Sequence, residues 1–170
     1  PFVGNKRMRT ALGDGYVEAL RRAHDDVPET ADLVMYWWNH AASLVRAERL
    51  TRFGLITTNS ITQTFNRRVV QRHLVASSAC HLAFAVPDHP WVDSTDGAAV
   101  RVAMTVLSQS SGAGILLSLI DEEQLDDGSS RVDFRSRKGT IHADLTTGPS
   151  VSGTRALVAN QDLCLQGCKL

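Results

Sequence analysis

Several aromatic residues stand where they could contact a planar ligand. Phe2 begins the chain beside Pro1, Trp37 and Trp38 are adjacent, and Trp91 lies in a stretch rich in proline and aspartate. Neighbours on a helix differ by about 100° in direction, so one of the adjacent tryptophans packs in a core and the other is free to contact a ligand. A large aromatic in a polar loop needs a partner to cover it, which makes Trp91 a candidate for ligand binding.

Other catalytic patterns are missing from the sequence. It has no G-x-S-x-G elbow, P-loop or G-x-G-x-x-G fingerprint, and the isolated Gly13-Asp14-Gly15 is typical of a turn. The histidines form no pair at helical i, i+4 spacing beside a carboxylate, and Cys164 and Cys168 lack the second ligand pair of a closed zinc site. The sequence therefore predicts no metal site, and it gives a hydrolase no nucleophile.

Charge is balanced over the whole chain but not along it. The 18 basic and 18 acidic residues cancel, yet residues 1–80 carry an excess of basic residues and residues 81–170 an equal excess of acidic ones. A nucleic-acid surface is therefore expected in the first half. The candidate DNA-contacting residues are Lys6, Arg7, Arg9, Arg67, Arg68 and Arg72.

Length and composition predict a globular protein of one domain. The 170 residues are enough for a sizeable core, and three sparse cysteines suit a reducing compartment better than a disulfide framework. No run approaches the roughly 18 apolar residues of a membrane span, and no basic-then-apolar leader is present. The expectation is a cytoplasmic protein with no membrane partner.

The hydrophobic pattern predicts an α/β domain with a mostly parallel sheet. Apolar runs predict strands over 52–58, 80–86 and 98–107. The last two are expected to be antiparallel neighbours, because a loop of about a dozen residues that contains Trp91 joins them without a helix.

Helices are predicted near 30–48 and 60–75, with Asn59 or Ser60 capping the second, and a short one stops at Pro28. In the first of these, apolar residues recur every three or four positions: Leu33, Tyr36, Trp37, Ala41, Leu44 and Val45. Beyond residue 108 the turn-rich sequence predicts short strands only, with a solvated acidic turn over 121–127. Residues 152–170 are expected to be an extended segment or a short helix.

Several stretches resemble one enzyme family. Residues 1–9, "PFVGNKRMR", look like the end of the Asn-Pro-Pro-Phe motif of the DNA amino-methyltransferases that modify adenine. "FGLITTNSITQ" at 53–63 is the most specific match and resembles the type IIG fused restriction–modification methylases and their relatives. "HPWVDSTDGAAVRVAMTVL" at 89–107 resembles the family's next motif, and 156–170 resembles the passage leading into a target-recognition domain.

The resemblance covers nearly all of residues 1–107 and implies a fold. It indicates the C-terminal half of a Rossmann-like, S-adenosylmethionine-dependent methyltransferase sheet, with 1–107 as the catalytic-half core. Residues 108–170 would be peripheral strands that lead into a missing target-recognition domain. The glycine-rich segment that holds the cofactor would lie upstream, so the chain is expected to be a fragment that is inactive by itself.

The resemblance also assigns roles to residues. Such enzymes flip the target adenine out of the duplex and clamp it by stacking. The motif's Asn side chain and first Pro carbonyl, which accept hydrogen bonds from the adenine amine, would precede Pro1. By carry-over, Pro1 and Phe2 belong to the catalytic motif, Phe2 and Trp91 stack on the flipped base, and Trp37 packs against the cofactor's adenine. DNA is the expected partner.

Two other functions remain open at this stage. One is a catalytically inactive α/β module that binds a partner or a nucleic acid and has no cofactor. The other is a different α/β enzyme that uses a nucleotide, which the missing phosphate loop disfavours. An Asn-Pro encoded directly before Pro1 is expected only for the methyltransferase.

Overall fold

The fold is that of a computed structural model, which describes residues 3–76, 80–91, 100–124, 130–149 and 158. Its helices are α1 (Asn5–Leu12), α2 (Asp14–Ala23), α3 (Val34–Arg46) and α4 (Thr64–Val75), with a 3-10 turn over Asn59–Thr62. Its strands are β1 (Arg52–Thr58), β2 (Cys80–Trp91), β3 (Val100–Gln109), β4 (Gly114–Gln124) and β5 (Ser130–Gly139). They form one five-stranded sheet in the order β1-β3-β2-β4-β5, which confirms the α/β class.

The sheet is mixed, and the prediction of a mostly parallel one is wrong. Strand β3 pairs antiparallel with both β1 and β2, β4 pairs antiparallel with β5, and the one parallel ladder joins β2 to β4. Helix α4 provides the crossover from β1 to β2, which run in the same direction, whereas β3 runs opposite to both. The predicted antiparallel pairing of β2 and β3 is confirmed.

Strand β2 is longer than predicted. The segment 87–91, predicted as part of a loop, continues the strand, and the pairing register shifts after Val86. Such a bulge accommodates Pro87, which has no N–H to donate to the ladder. Trp91 is therefore the last residue of β2, paired with Val100, and not a loop residue.

The second half of the chain has long strands rather than short ones. Strands β4 and β5 contain 11 and 10 residues and form one antiparallel hairpin. Asp121, predicted to begin an acidic turn, lies inside β4, and Arg131 on β5 pairs with Glu123 across the ladder at 3.7 Å. Opposite charges on neighbouring strands stabilise such an exposed pairing modestly. Residues 152–170, apart from Val158, lie outside the described residues.

Helix α3 supplies the centre of the core. Its buried residues Val34, Trp38, Ala42 and Val45 follow the helical period, and Trp38 is fully buried. Trp37 is 48% exposed, so its inclusion in the apolar pattern is wrong, whereas the expectation that one of the two tryptophans packs in a core is confirmed.

The core lies between the helices and one face of the sheet. Met8 of α1, Val17 of α2, Trp38 of α3 and Val70 of α4 share it with Leu107 of β3. Helix α1 is not predicted by the sequence pattern, because Met8 is its one buried residue. In the described part of the chain, no helix has the length and apolar character needed to cross a membrane.

Candidate functional site

The carboxyl ends of β1 and β2 meet at one edge of the sheet, hereafter the carboxyl edge. Both strands pair antiparallel with β3, so they point the same way: Thr58 pairs with Val102 and Trp91 with Val100. Strand β2 thus reaches two residues further than β1. Ligands of open α/β sheets bind beyond such ends. Trp91 stands there with 46% of its surface exposed.

A single carboxylate, that of Asp32, joins three segments at this edge. Its Oδ1 accepts a hydrogen bond from the backbone N–H of Asn5 at 2.9 Å. Its Oδ2 accepts from Ser60 Oγ at 2.7 Å and from Asn66 Nδ2 at 2.8 Å. The start of α1, the 3-10 turn after β1 and the first turn of α4 therefore converge on one side chain.

This arrangement corrects the predicted cap. Neither Asn59 nor Ser60 caps α4, whose N-cap residue Gln63 makes no side-chain hydrogen bond. Ser60 is instead in the 3-10 turn, where its hydroxyl is committed to Asp32. Ile61, the next residue of this turn, is buried.

The opening segment is held at the carboxyl edge by two hydrogen bonds. Besides the Asn5 bond to Asp32, the N–H of Leu33 donates to the carbonyl oxygen of Val3 at 3.1 Å. Pro1 and Phe2 lie outside the described residues, but they precede Val3 directly in the sequence. The described chain at this edge therefore begins one residue after Phe2.

The end of β2 is braced by an ion-pair network. Arg101 donates from Nε and Nη2 to the two Asp88 oxygens at 2.8 and 2.7 Å, and from Nη1 to Glu122 at 2.7 Å. Hydrogen bonding by Arg101 holds the pKa of the Asp88 carboxyl below its ordinary value. Asn59 Nδ2 also donates to Asp88, at 3.3 Å, and so ties the turn after β1 to β2 three residues before Trp91.

Two pairs of the predicted DNA-contacting residues directly follow residues that donate hydrogen bonds to the Asp32 carboxylate. Lys6 and Arg7 follow Asn5, Arg67 and Arg68 follow Asn66, and all but the half-buried Arg67 are exposed. None of these cations forms an ion pair with another residue that the structure describes. Their charges are therefore available for an external anion.

The exposed face at the start of α4 also carries an aromatic ring. The Arg68 guanidinium lies over the ring of Phe65, with its carbon 5.3 Å from the ring centre. Phe65 is 45% exposed. A cation–π contact at an exposed site contributes about 0.5–1 kcal/mol and favours this position of the guanidinium.

Arg9 and Arg72, the other two predicted DNA-contacting residues, form ion pairs within the chain. Arg9 pairs with Asp14 at 2.9 Å and with Glu18. Arg72 donates to the carboxylate and the backbone oxygen of Asp26 and to Asn39 Oδ1, the last at 2.6 Å. These partners favour structural roles, and DNA contact by Arg9 and Arg72 stays a prediction.

The Arg72 network includes a buried histidine. His73 is fully buried, and its Nε2 lies 2.7 Å from Asn39 Oδ1. Asn39 donates its Nδ2 to Asp26, so its Oδ1 is an acceptor and His73 Nε2 carries the proton. Burial first, and then the charges of Arg72 and Arg46, lower the pKa of His73 to about 4. His73 is therefore neutral near pH 7 and serves as a packing residue.

Trp37 lies near the start of α3, and hence near the carboxyl edge. Helix α3 begins two residues after Asp32, and the exposed indole is one turn further along. An exposed indole offers a flat apolar surface to a planar group. Across the described ranges, no cluster of three or more His, Cys, Asp or Glu side chains is placed to hold a metal ion.

Sequence reasoning missed the residues that position these groups, chiefly Asp32, Asn66, Asp88 and Arg101. A signal existed for Asp32, since an aspartate just before an apolar helical pattern indicates a helix start. It would have assigned Asp32 to α3, whereas the carboxylate binds the first N–H of α1. Partners 27 to 34 residues apart cannot be identified from local patterns.

A protein of known structure shares this fold. In solved structures, the chain is similar to the type IIL restriction-modification enzyme MmeI in complex with DNA, with a TM-score of 0.65 and 22% sequence identity. The alignment covers 89% of this chain and 19% of that chain, so this chain spans about a fifth of that enzyme's length. A search of curated proteins gives no match.

The structural likeness shows the fold, and it is consistent with one half of a Rossmann-like methyltransferase sheet. The sequence itself matches the family described as MmeI, DNA-methyltransferase domain, over residues 1–118, which is more than half of the chain. The chain therefore belongs to the MmeI DNA-methyltransferase domain family.

Proposed function

We propose that this chain is part of a restriction–modification DNA methyltransferase that transfers a methyl group to the exocyclic amine of adenine. The observation that carries the proposal is the convergence at the carboxyl edge. The opening segment is bonded there through Val3 and Asn5, and Trp91 ends β2 at the same edge. Both segments belong to stretches whose sequences resemble motifs of the adenine-modifying family.

The base would be bound between two aromatic side chains. Phe2 and Trp91 are the proposed stacking residues for an adenine flipped out of the duplex, and Pro1 and Phe2 end the catalytic motif. Stacking on an aromatic residue contributes about 1–3 kcal/mol per base. The half-exposed indole of Trp91 has the free surface that this role requires.

S-adenosylmethionine is the proposed methyl donor, and it supplies the methyl group when bound. Trp37 fits a contact with its adenine, because the indole is exposed near the carboxyl edge. The described residues contain no glycine-rich loop between a strand and a helix that would hold the rest of the donor. Because methyl transfer requires the donor to be held in line with the amine, we expect the 170-residue chain to be inactive alone.

DNA is the proposed substrate, and its phosphates would contact the cations beside the carboxyl edge. Lys6, Arg7, Arg67 and Arg68 are the contacts that we favour, since no described residue neutralises them. The related MmeI was solved in complex with DNA, which supports this proposal. A cytoplasmic location agrees with such a substrate.

Nucleoside analysis tests the proposed function. DNA is incubated with the full-length protein and S-adenosylmethionine carrying an isotopically labelled methyl group, and the digested nucleosides are separated by mass spectrometry. We expect label in N6-methyladenine, and none when the 170-residue chain replaces the full-length protein. Label in a methylcytosine would contradict adenine as the target. DNA binding without any labelled nucleoside would instead indicate an inactive nucleic-acid-binding module.

A further inference from the structure

We propose that Asp32 is a positioning residue, which fixes the backbone directly after Pro1 and Phe2 and thereby orients the base-binding motif. The inference rests on the proposed function for its catalytic consequence. Its structural basis is the set of hydrogen bonds made by Asp32, which join segments distant in the sequence.

Asp32 and Asn66 form a reciprocal pair. Asn66 Nδ2 donates to the Asp32 carboxylate at 2.8 Å, and the Asp32 backbone N–H donates to Asn66 Oδ1 at 2.9 Å. Asn66 is buried, and its Nδ2 also donates to the Ser60 carbonyl at 3.0 Å. The carboxylate is therefore held in one orientation by α4 and the 3-10 turn, with Oδ1 directed to the opening segment.

In the described part of the opening segment, no side chain caps the start of α1. Gly4 is the N-cap residue of α1 and has no side chain to accept a hydrogen bond from the first helical N–H groups. Asp32 Oδ1 accepts from Asn5, the first of them, and so performs from 27 residues away the task of a capping side chain. An ideal Cβ placed on Gly4 would lie 3.5 Å from the same oxygen, which shows how closely the backbone approaches Asp32.

The position of Asp32 also affects the base-binding motif, which directly precedes Val3 in the sequence. Asn5 and Val3 are bonded to consecutive residues, Asp32 and Leu33, so the backbone over 3–5 is fixed at two points. Phe2 is one peptide from the first of these points. Small misplacements of a reacting or stacking group carry large losses in rate, so loosening the two-point attachment is expected to lower turnover more than DNA binding.

The test is Asp32→Asn in the full-length protein, with Asp26→Asn as the matched control. Asn keeps the shape of Asp32 but replaces one of its two oxygens with an NH2 donor. Asn5 and Asn66 donate to different oxygens of Asp32, so the substitution removes one of these two bonds and breaks the two-sided link. Asp26 is a comparable carboxylate, but it accepts hydrogen bonds from Asn39 and Arg72 rather than from the opening segment.

The kcat for methylation, the Kd for DNA and the amide hydrogen exchange of residues 3–8 are measured for both variants. We expect Asp32→Asn to lower kcat for methylation about 10- to 100-fold with less than a threefold change in Kd for DNA. We also expect amide hydrogen exchange at residues 3–8 to rise at least fivefold. Asp26→Asn should change none of these three quantities by more than about twofold once the folded fraction is matched.

The outcomes separate the two proposals. Unchanged exchange at residues 3–8 in folded Asp32→Asn overturns the positioning inference, as does a loss of kcat that Asp26→Asn reproduces. If the unmodified protein makes no methyladenine, the proposed function fails. The exchange result then decides whether Asp32 positions the opening segment.

Discussion

Trp38 on α3 donates a hydrogen bond from its indole Nε1 to Thr105 Oγ1 on β3 at 3.1 Å, and both side chains are buried. The bond joins residues 67 apart in the sequence, and it fixes the helix that begins beside Asp32 against the strand that lies between β1 and β2. The register of α3 on the sheet, and so the position of its exposed Trp37, depends on this contact.

Thr105→Val keeps the shape of the side chain and removes the acceptor. The buried indole N–H is then unpaired, so we expect the free energy of unfolding to fall by about 1–3 kcal/mol. Urea unfolding measures the change. Thr57→Val is the matched control, because Thr57 is equally buried and its hydroxyl bonds only to the carbonyl of the next residue. Equal losses in the two variants would contradict a specific role for the Trp38 bond.

The pKa of His73 predicts how stability depends on pH. Its folded pKa of about 4 lies below the unfolded value of 6.5, so between these values the unfolded state binds more protons than the folded state. Stability is therefore lost as the pH falls through 6.5 and levels off below about 4. From pH 7.5 to 5 we expect a decrease on the order of 2 kcal/mol from this residue, measured by urea unfolding.

Two substitutions isolate the His73 contribution. His73→Asn removes the titrating ring, so the decrease between pH 7.5 and 5 should become smaller even if overall stability falls. His40→Gln removes an exposed histidine of α3 and should leave the decrease unchanged. The Asp88 carboxyl does not interfere, because its lowered pKa places its loss of stability below this pH range. A similar pH dependence in His73→Asn would refute the assignment.

The sequence predicts a strand well where an uninterrupted apolar run is bounded by turn residues. Strand β1 matches the predicted 52–58, since its apolar run is closed by turn residues at the 3-10 segment. The end of β2 could not be predicted, because Pro87 and Pro90 indicate a turn unless a bulge accommodates them, and the register of β2 shifts between Val86 and His89. Whether residues 87–91 form a turn or continue the strand depends on their pairing with β3, which is a tertiary interaction.

Sequence reasoning proposed the aromatic residues of the candidate site but none of the polar residues that position them. Trp91 is a candidate because a large aromatic residue in a polar stretch indicates a binding partner, and the resemblance assigns it a stacking role. The importance of Asp32 or of the Asp88–Arg101 pair depends on partners brought together by the fold, at separations of 27 residues and 13 residues. A carboxylate in a polar stretch has the same local signature whether it is solvated or fully hydrogen-bonded.

Trp91→Ala in the full-length protein should reduce methylation mainly by destabilising the flipped base. A stacking loss of about 1–3 kcal/mol corresponds to about a 5- to 150-fold change in the population of the flipped state. An adenine analogue that fluoresces when unstacked, placed at the target position, reports this directly. Trp37→Ala is the control, and it should weaken S-adenosylmethionine binding with no change in the fluorescence. Unchanged fluorescence and activity in Trp91→Ala would mean that Trp91 only anchors the end of β2.

Charge reversal at Arg67 and Arg68 tests the proposed DNA contact through its dependence on salt. Each phosphate contact releases counterions and steepens the plot of log K against log salt by about 0.9, so Arg67→Glu/Arg68→Glu should make the slope shallower by about 2. The control is Arg135→Glu/Arg137→Glu, an equal change of charge at exposed positions of β5 that pair with Ser118 and Leu116, away from the carboxyl edge. Fluorescence anisotropy at several salt concentrations measures both slopes in the full-length protein. Equal slopes in the two variants would assign Arg67 and Arg68 to the solvated face of α4.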